Sequence, residues 1–235
     1  MKQIFNGNII RQIILKGVLR IMNLYEKNQE MRNFFNEKSE NYDERHIELG
    51  LMDYKTKITE VLNDNTSYIL DLGVGTGLEL IPFFERFPNA KVMAIDITEN
   101  MLDILKTREF SNNIEMICED FFKVDFGQEK FDAVISSAAL HHFSKEEKEI
   151  LYKKIYDSLK DGGQFINSDK FAKDEEEEKR FMQEYVQNTD SEKHIDTPLC
   201  LDNEKYLLEK VGFQNIEFQE INSEKYKLMI CNKKA

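Results

Sequence analysis

The chain has 235 residues, 41% apolar and 11% aromatic, with 17 Phe and 9 Tyr; that is enough to build a packed core and excludes a wholly disordered polymer. Its 44 acidic and 32 basic residues leave a net charge of −12, the wrong sign for gripping a phosphate backbone, so direct nucleic-acid binding is not expected. No apolar run approaches the roughly 18 residues of a membrane-spanning helix, and Cys118, Cys200 and Cys231, an odd number with no CxxC, read as thiols of a reduced, cytoplasmic protein without a disulfide framework or zinc site.

Residues 1–25 carry Lys2, Arg11, Lys16 and Arg20 and no acid. Such a basic extension suits a helix lying on an anionic membrane. The reading preferred here is that it is not native: the codons of Lys16-Gly17-Val18 can spell a ribosome-binding site, and translation is expected to begin at Met22. Residues 28–62 then read as helical with a break at Asn41-Tyr42-Asp43. Strands are predicted over 68–72, 91–97, 114–118, 131–136 and 164–167 from their apolar, β-branched composition. Between them lie helices over 78–87, closed by Pro88, over 99–110 with Thr98 as its cap, and over 145–159, where Ser144 and Glu147 form a capping box. Asp174–Glu178 opens a further helix running to Gln187, and 202–211 is helical. Residues 214–221 and 226–231 form two last strands, paired antiparallel at one edge. Alternating strands and helices imply an α/β fold, Rossmann-like and doubly wound, with a mostly parallel seven-stranded sheet and an antiparallel C-terminal hairpin.

The first strand runs directly into Asp71-Leu72-Gly73-Val74-Gly75-Thr76-Gly77 and then a helix. Glycines at a strand-to-helix turn let backbone approach a ligand closely, and ligands of open α/β sheets lie beyond the C-terminal strand ends. Asp96 closes the second strand, 19 residues after Gly77, where a carboxylate can accept from both hydroxyls of a ribose. A nucleoside ligand follows. The third position of a dinucleotide fingerprint is Leu78, not glycine, and no Gly-Lys-Ser/Thr of a P-loop is present. Asp71, just before the glycines, favours a cationic ligand over a pyrophosphate.

This segment resembles the signature of class I S-adenosylmethionine-dependent methyltransferases. Ala94–Thr98 with Met101 resembles their second motif, Glu119-Asp120-Phe121 their adenine loop, and Phe131–Phe143, with its Leu140-His141-His142, their fourth-strand segment. The resemblance covers about residues 33–233, with the motifs in family order, and implies S-adenosylmethionine as cofactor and S-adenosylhomocysteine as product. It places the backbone of Gly73, Gly75 and Gly77 around the methionine portion, with Asp71 on the ammonium side and Ser136 and Ser137 near the same end. It places Asp96 on the ribose, Ile97 and Met101 beside the adenine, Asp120 on its amino group and Phe121 against the ring. Tyr42 resembles a Tyr-Asp element folding over the cofactor. Residues 26–235 are thus expected to form one methyltransferase domain with an N-terminal helical cap and a lid at about 168–200.

Methyl transfer is an in-line displacement in which the protein chiefly aligns the reactants. Where the acceptor must lose a proton, His141 and His142 are the candidate bases, His142 in the more usual family position. No metal site is expected, because no Asp, Glu or Cys stands at helpful spacing from the two histidines. The expected partner is a small-molecule methyl acceptor methylated on O, N or C; its identity and the oligomeric state stay open. Two alternatives remain: a relative that modifies the cofactor, as carboxy-S-adenosylmethionine synthases do, and a non-catalytic S-adenosylmethionine-binding protein.

Overall fold

The structure is a computed structural model and describes residues 24–48, 52–187, 196–221 and 223–235. The expected start at Met22 and nearly all of the basic extension lie outside these residues. Among the described residues no helix is long and apolar enough to cross a membrane.

Helix α1 (24–38) passes through a short 3-10 turn, Ser39–Asn41, into α2 (Tyr42–Glu48), so the predicted break falls where the helical turn tightens. Then follow α3 (Asp53–Val61), β1 (Tyr68–Leu72), α4 (Leu80–Arg86), β2 (Lys91–Asp96), α5 (Glu99–Leu105), β3 (Ile114–Cys118), β4 (Phe131–Ser137), α6 (Lys145–Ser158), β5 (Leu159–Lys170), α7 (Glu175–Gln187), α8 (Leu201–Val211), β6 (Gln214–Ile221) and β7 (Ser223–Asn232). The sheet has seven strands in the order β3-β2-β1-β4-β5-β7-β6. β1 pairs in parallel with both β2 and β4, and the chain reverses its direction of travel there; the crevice at that switch is where such folds bind ligands. β7 pairs antiparallel with β5 and β6, which gives the expected C-terminal hairpin.

Alternation along the strands fills two cores. On one face Leu70 and Leu72 of β1 meet Leu151, Tyr152 and Ile155 of α6 and Leu207 and Leu208 of α8. On the other, Ile69 meets Ile58 of α3, Phe83 of α4 and Leu105 of α5. Helix α6 starts at the predicted capping box, with both the Ser144 and Glu147 bonds made. Within the first core Lys148 and Glu204 form a fully buried ion pair at 2.8 Å, and the Tyr152 hydroxyl donates to the same carboxylate.

Three expectations change. α5 ends at Leu105 rather than near residue 110, and Thr98 makes no side-chain cap; its N–H is instead held by the Asp96 carboxylate at 2.8 Å. β5 runs from Leu159 through to Lys170, so residues 168–170 of the expected lid are strand, Ser168 and Asp169 buried and Lys170 half-buried. Phe171 likewise joins the core, edge-on to Phe218 at 5.5 Å. Among the described residues of that segment, α7 stands outside the sheet.

Candidate functional site: a cleft at the ends of β1, β2 and β4

β1 ends at Leu72 and the chain turns at once, Gly73 N–H donating to Ile95 O at 2.8 Å. Gly75 has φ +53°, and no atom lies within 4 Å of where a Cβ would stand. Its backbone is therefore bare toward the cleft, and its N–H donates to Asp96 Oδ2 at 2.8 Å. Gly77 serves packing: a Cβ there would sit 2.4 Å from Leu105 Cδ1, so glycine lets α5 close on the loop.

A cleft opens beyond this turn. Gly73, Gly75, Asp96, Ile97, Met101, Asp120, Phe121, Ser137 and Tyr42 line it, as does His142. Asp96 is held by two backbone donors, Gly75 N–H and Thr98 N–H. Burial raises its pKa against those bonds, which act to lower it. Asp120 Oδ1 accepts from Phe122 N–H at 2.9 Å, which sets the carboxylate at the cleft wall. Tyr42 is carried there by its neighbour: Asp43 accepts from Thr76 Oγ1 at 2.6 Å and pairs with Arg108, tying α2 to the glycine loop. The Tyr42 ring packs on His46 with centroids 4.0 Å apart.

Three expected site residues do not reach the cleft. Gly77 faces Leu105. Ser136 is fully buried and its hydroxyl donates to Leu72 O at 2.8 Å, joining β4 to β1. Asp71 lies beneath the loop, fully buried, and neither carboxylate oxygen has a hydrogen-bond partner among the described residues. Beside it is Glu79, which binds Lys55 Nζ at 2.8 Å through one oxygen while the other is unpartnered. Burial, then the Glu79 charge, pushes the Asp71 pKa well up. Of these two buried acids only Glu79 is bonded to the lysine. The fit to the cofactor is carried by the cleft lining instead: the bare Gly75 backbone, the Asp96 and Asp120 carboxylates and the apolar Ile97, Met101 and Phe121 suit a nucleoside.

Four lining residues had no signal in the sequence: Asn28, Met31 and Phe35 of α1, and Phe143 after the His pair. Lys27 anchors α1 by a buried 2.8 Å ion pair to Glu147, the capping-box acid of α6. Asn28 Nδ2 donates to Asp120 Oδ2 at 2.8 Å across 92 residues of sequence. The helical period of α1 is legible, but nothing local says which surface it covers.

The two histidines part company. His141 is buried, and its Nδ1 lies 2.5 Å from Asp169 Oδ1. Burial alone would lower its pKa, but Asp169 and Asp196 outweigh burial and raise it to about 9. The two carboxylates favour its charged form, and unlike His142 it does not line the cleft. Asp169 also accepts from Leu140 N–H and so orders the loop. His142 faces the cleft, its ring 5.9 Å from that of Phe35. Asp196 arrives from 54 residues on, placed by Thr197 N–H donating to His141 O at 2.7 Å. It stands 3.4 Å from His141 Nε2 and 3.6 Å from His142 Nδ1. The fold thus supplies the carboxylate that sequence spacing did not, and these three residues could present one ligand atom each to a metal ion. Lys170 also pairs with Asp196, so with His141 charged the cluster is balanced by its own side chains.

The fold and the cleft are similar to those of class I S-adenosylmethionine-dependent methyltransferases, and the cleft suits S-adenosylmethionine as cofactor. Residues 69–163 match the family model described as "Methyltransferase domain"; they span β1 to the start of β5, with the glycine loop, Asp96, Asp120 and both histidines. A carboxy-S-adenosyl-L-methionine synthase of Nautilia profundicola is 28% identical over 166 residues, 63% of this chain and 70% of that protein. A phosphoethanolamine N-methyltransferase of Plasmodium falciparum is 31% identical over 148 residues, 62% of this chain and 55% of that enzyme. Human N-acetylserotonin methyltransferase, solved in complex with S-adenosylmethionine, superposes with a TM-score of 0.57 at 20% identity, over 73% of this chain and 49% of that one, and so shares the fold. The chain spans about half the length of the last two proteins.

Proposed function

We propose that the protein transfers a methyl group to a hydroxyl or amine of a small molecule, with His142 as the base that takes the acceptor's proton. The observation that carries this reading is the placing of His142 on the cleft wall, which Ser137 also lines, while its neighbour His141 is buried against Asp169. The sulfonium cofactor supplies an electrophilic methyl group. The chain's own groups hold and align: the Gly73 and Gly75 backbone at the methionine portion with Asp71 and Glu79 behind it, Asp96 on the ribose, Ile97, Met101 and Phe121 around the adenine, Asp120 on its amino group. Ser137 and Tyr42 stand at the reacting end, and Ser136 acts by fixing β4. Helix α1 covers the cleft, and α7 packs on α1, Lys27 lying 5.1 Å from the Tyr185 ring.

Carboxy-S-adenosyl-L-methionine synthases match over the longer share of their length, which supports the second reading, a cofactor-modifying enzyme. An added carboxylate would need a cation near the sulfonium. Lys55, 3.4 Å from Ser137 Oγ, is already paired with Glu79, and Lys170 with Asp196, which supports methyl transfer instead. Incubation with methyl-labelled S-adenosylmethionine and panels of small hydroxyl and amine compounds, read by mass spectrometry, tests both. A labelled acceptor together with S-adenosylhomocysteine is the expected result. A cofactor recovered heavier by one carboxylate group, or one that binds and never turns over, overturns it.

A further inference from the structure

We infer that Asn28 completes the adenine-amino site: its side-chain oxygen accepts one hydrogen of the cofactor's exocyclic amine while Asp120 accepts the other. Helix α1 is then part of the cofactor site and not only its cover. The inference rests on the proposed seating of the adenine against Asp120.

Asn28 is 3% exposed and lines the cleft. Its Nδ2 donates to Asp120 Oδ2 at 2.8 Å. An ionised carboxylate only accepts, so this bond fixes the amide: the nitrogen faces Asp120 and the oxygen faces elsewhere. That oxygen is buried and has no hydrogen-bond partner among the described residues. A buried amide oxygen left alone is costly, and in a ligand cleft it marks a place where a donor belongs. Asp120 Oδ1 already holds Phe122 N–H. The wall made by Asn28 and Asp120 therefore offers two acceptor groups, with one of the two Nδ2 hydrogens already given to Asp120. An amine bearing two hydrogens satisfies both acceptors, whereas a ring carbonyl at that position would satisfy neither. Because Asn28 sits one residue from Lys27, which pins α1 to α6, filling this site with an adenine also secures the cover.

The test is calorimetric titration of the wild-type protein and Asn28→Ala with S-adenosylhomocysteine and its N6-methyl derivative, in which one amine hydrogen is replaced. One lost neutral hydrogen bond predicts roughly five- to tenfold weaker S-adenosylhomocysteine binding in the variant. The wild type should reject the N6-methyl ligand by about tenfold or more, and the variant, with that oxygen removed, by less than about threefold. Equal affinities of the wild type for the two ligands would overturn the inference, even if Asn28→Ala does not fold. So would a variant that keeps the full discrimination, since Asp120 alone would then read the amine. A wild-type protein that binds neither ligand contradicts the cofactor reading beneath it.

Discussion

The two ends of the cleft are built in different ways. The nucleoside end is made of short contiguous motifs: the glycine turn after β1, Asp96 at the end of β2, Asp120 two residues past β3. Backbone groups hold them, as when Gly75 and Thr98 N–H grip one carboxylate. The acceptor end is assembled from distant pieces. His142 follows β4, Asp169 lies in β5 and Asp196 comes from beyond α7. One end can be specified by a local motif and changed little; the other can be re-made by exchanging loops and helices, which is how one fold serves many acceptors.

The largest effect that separates the two ends is expected at His142. Once an acceptor is in hand, His142→Ala should lower kcat by about 10²- to 10⁴-fold, while the dissociation constant of S-adenosylhomocysteine stays within about threefold, since the variant removes no nucleoside contact. Equal losses in both would merge the two ends into one site. At the nucleoside end, Asp96→Asn puts an N–H donor against a backbone N–H and removes a charge-assisted acceptor. Roughly 100-fold weaker S-adenosylhomocysteine binding by calorimetry is expected.

The charged pair behind the acceptor end should appear in stability against pH. His141 titrates near 6.5 when unfolded and at about 9 when folded, because Asp169 and Asp196 outweigh its burial. Its contribution, on the order of 3 kcal/mol, is fully present below pH 6.5 and is lost as pH rises through 9. Asp169 is lowered by the same contact despite its burial, so its share is lost only in acid. The unfolding midpoint of the wild type should therefore fall between pH 6.5 and 9, and Asp169→Asn should be less stable at pH 6.5 with a flatter profile across that window. A wild-type profile with no slope there would remove the imidazolium and return His141 to the list of bases. The smallest effect is expected at Ser136→Ala, a loss of about 1 kcal/mol for the bond to Leu72 O, with cofactor affinity unchanged. A tenfold loss of affinity there would place Ser136 back in the site.

What was legible in the sequence follows the same division. Strand composition, the capping box at Ser144 and the glycine spacing are local signals, and each places its element to within a few residues. The nucleoside end was legible because the loop that touches the ligand is also the loop that ends the strand. Even there, spacing does not distinguish a residue that faces the ligand from one that faces the sheet. Ser136 and Ser137 are adjacent and, by the alternation of β4, point opposite ways; only Ser137 lines the cleft. Gly77 belongs to the motif yet serves Leu105. Asn28 and Asp196 had no signal at all, because their partners lie 92 and 54 residues away and no periodicity carries such a distance.

The central claim, that the cleft reads an adenosine carrying a sulfonium amino acid and not a dinucleotide, is tested most directly by thermal unfolding of the wild-type protein with S-adenosylmethionine, S-adenosylhomocysteine, NAD or ATP. A ligand at a hundred times its dissociation constant adds about 2.7 kcal/mol to the folded state. Stabilisation by the first two and not by the others is the predicted result; a shift with NAD alone, or with none of the four, would contradict the account.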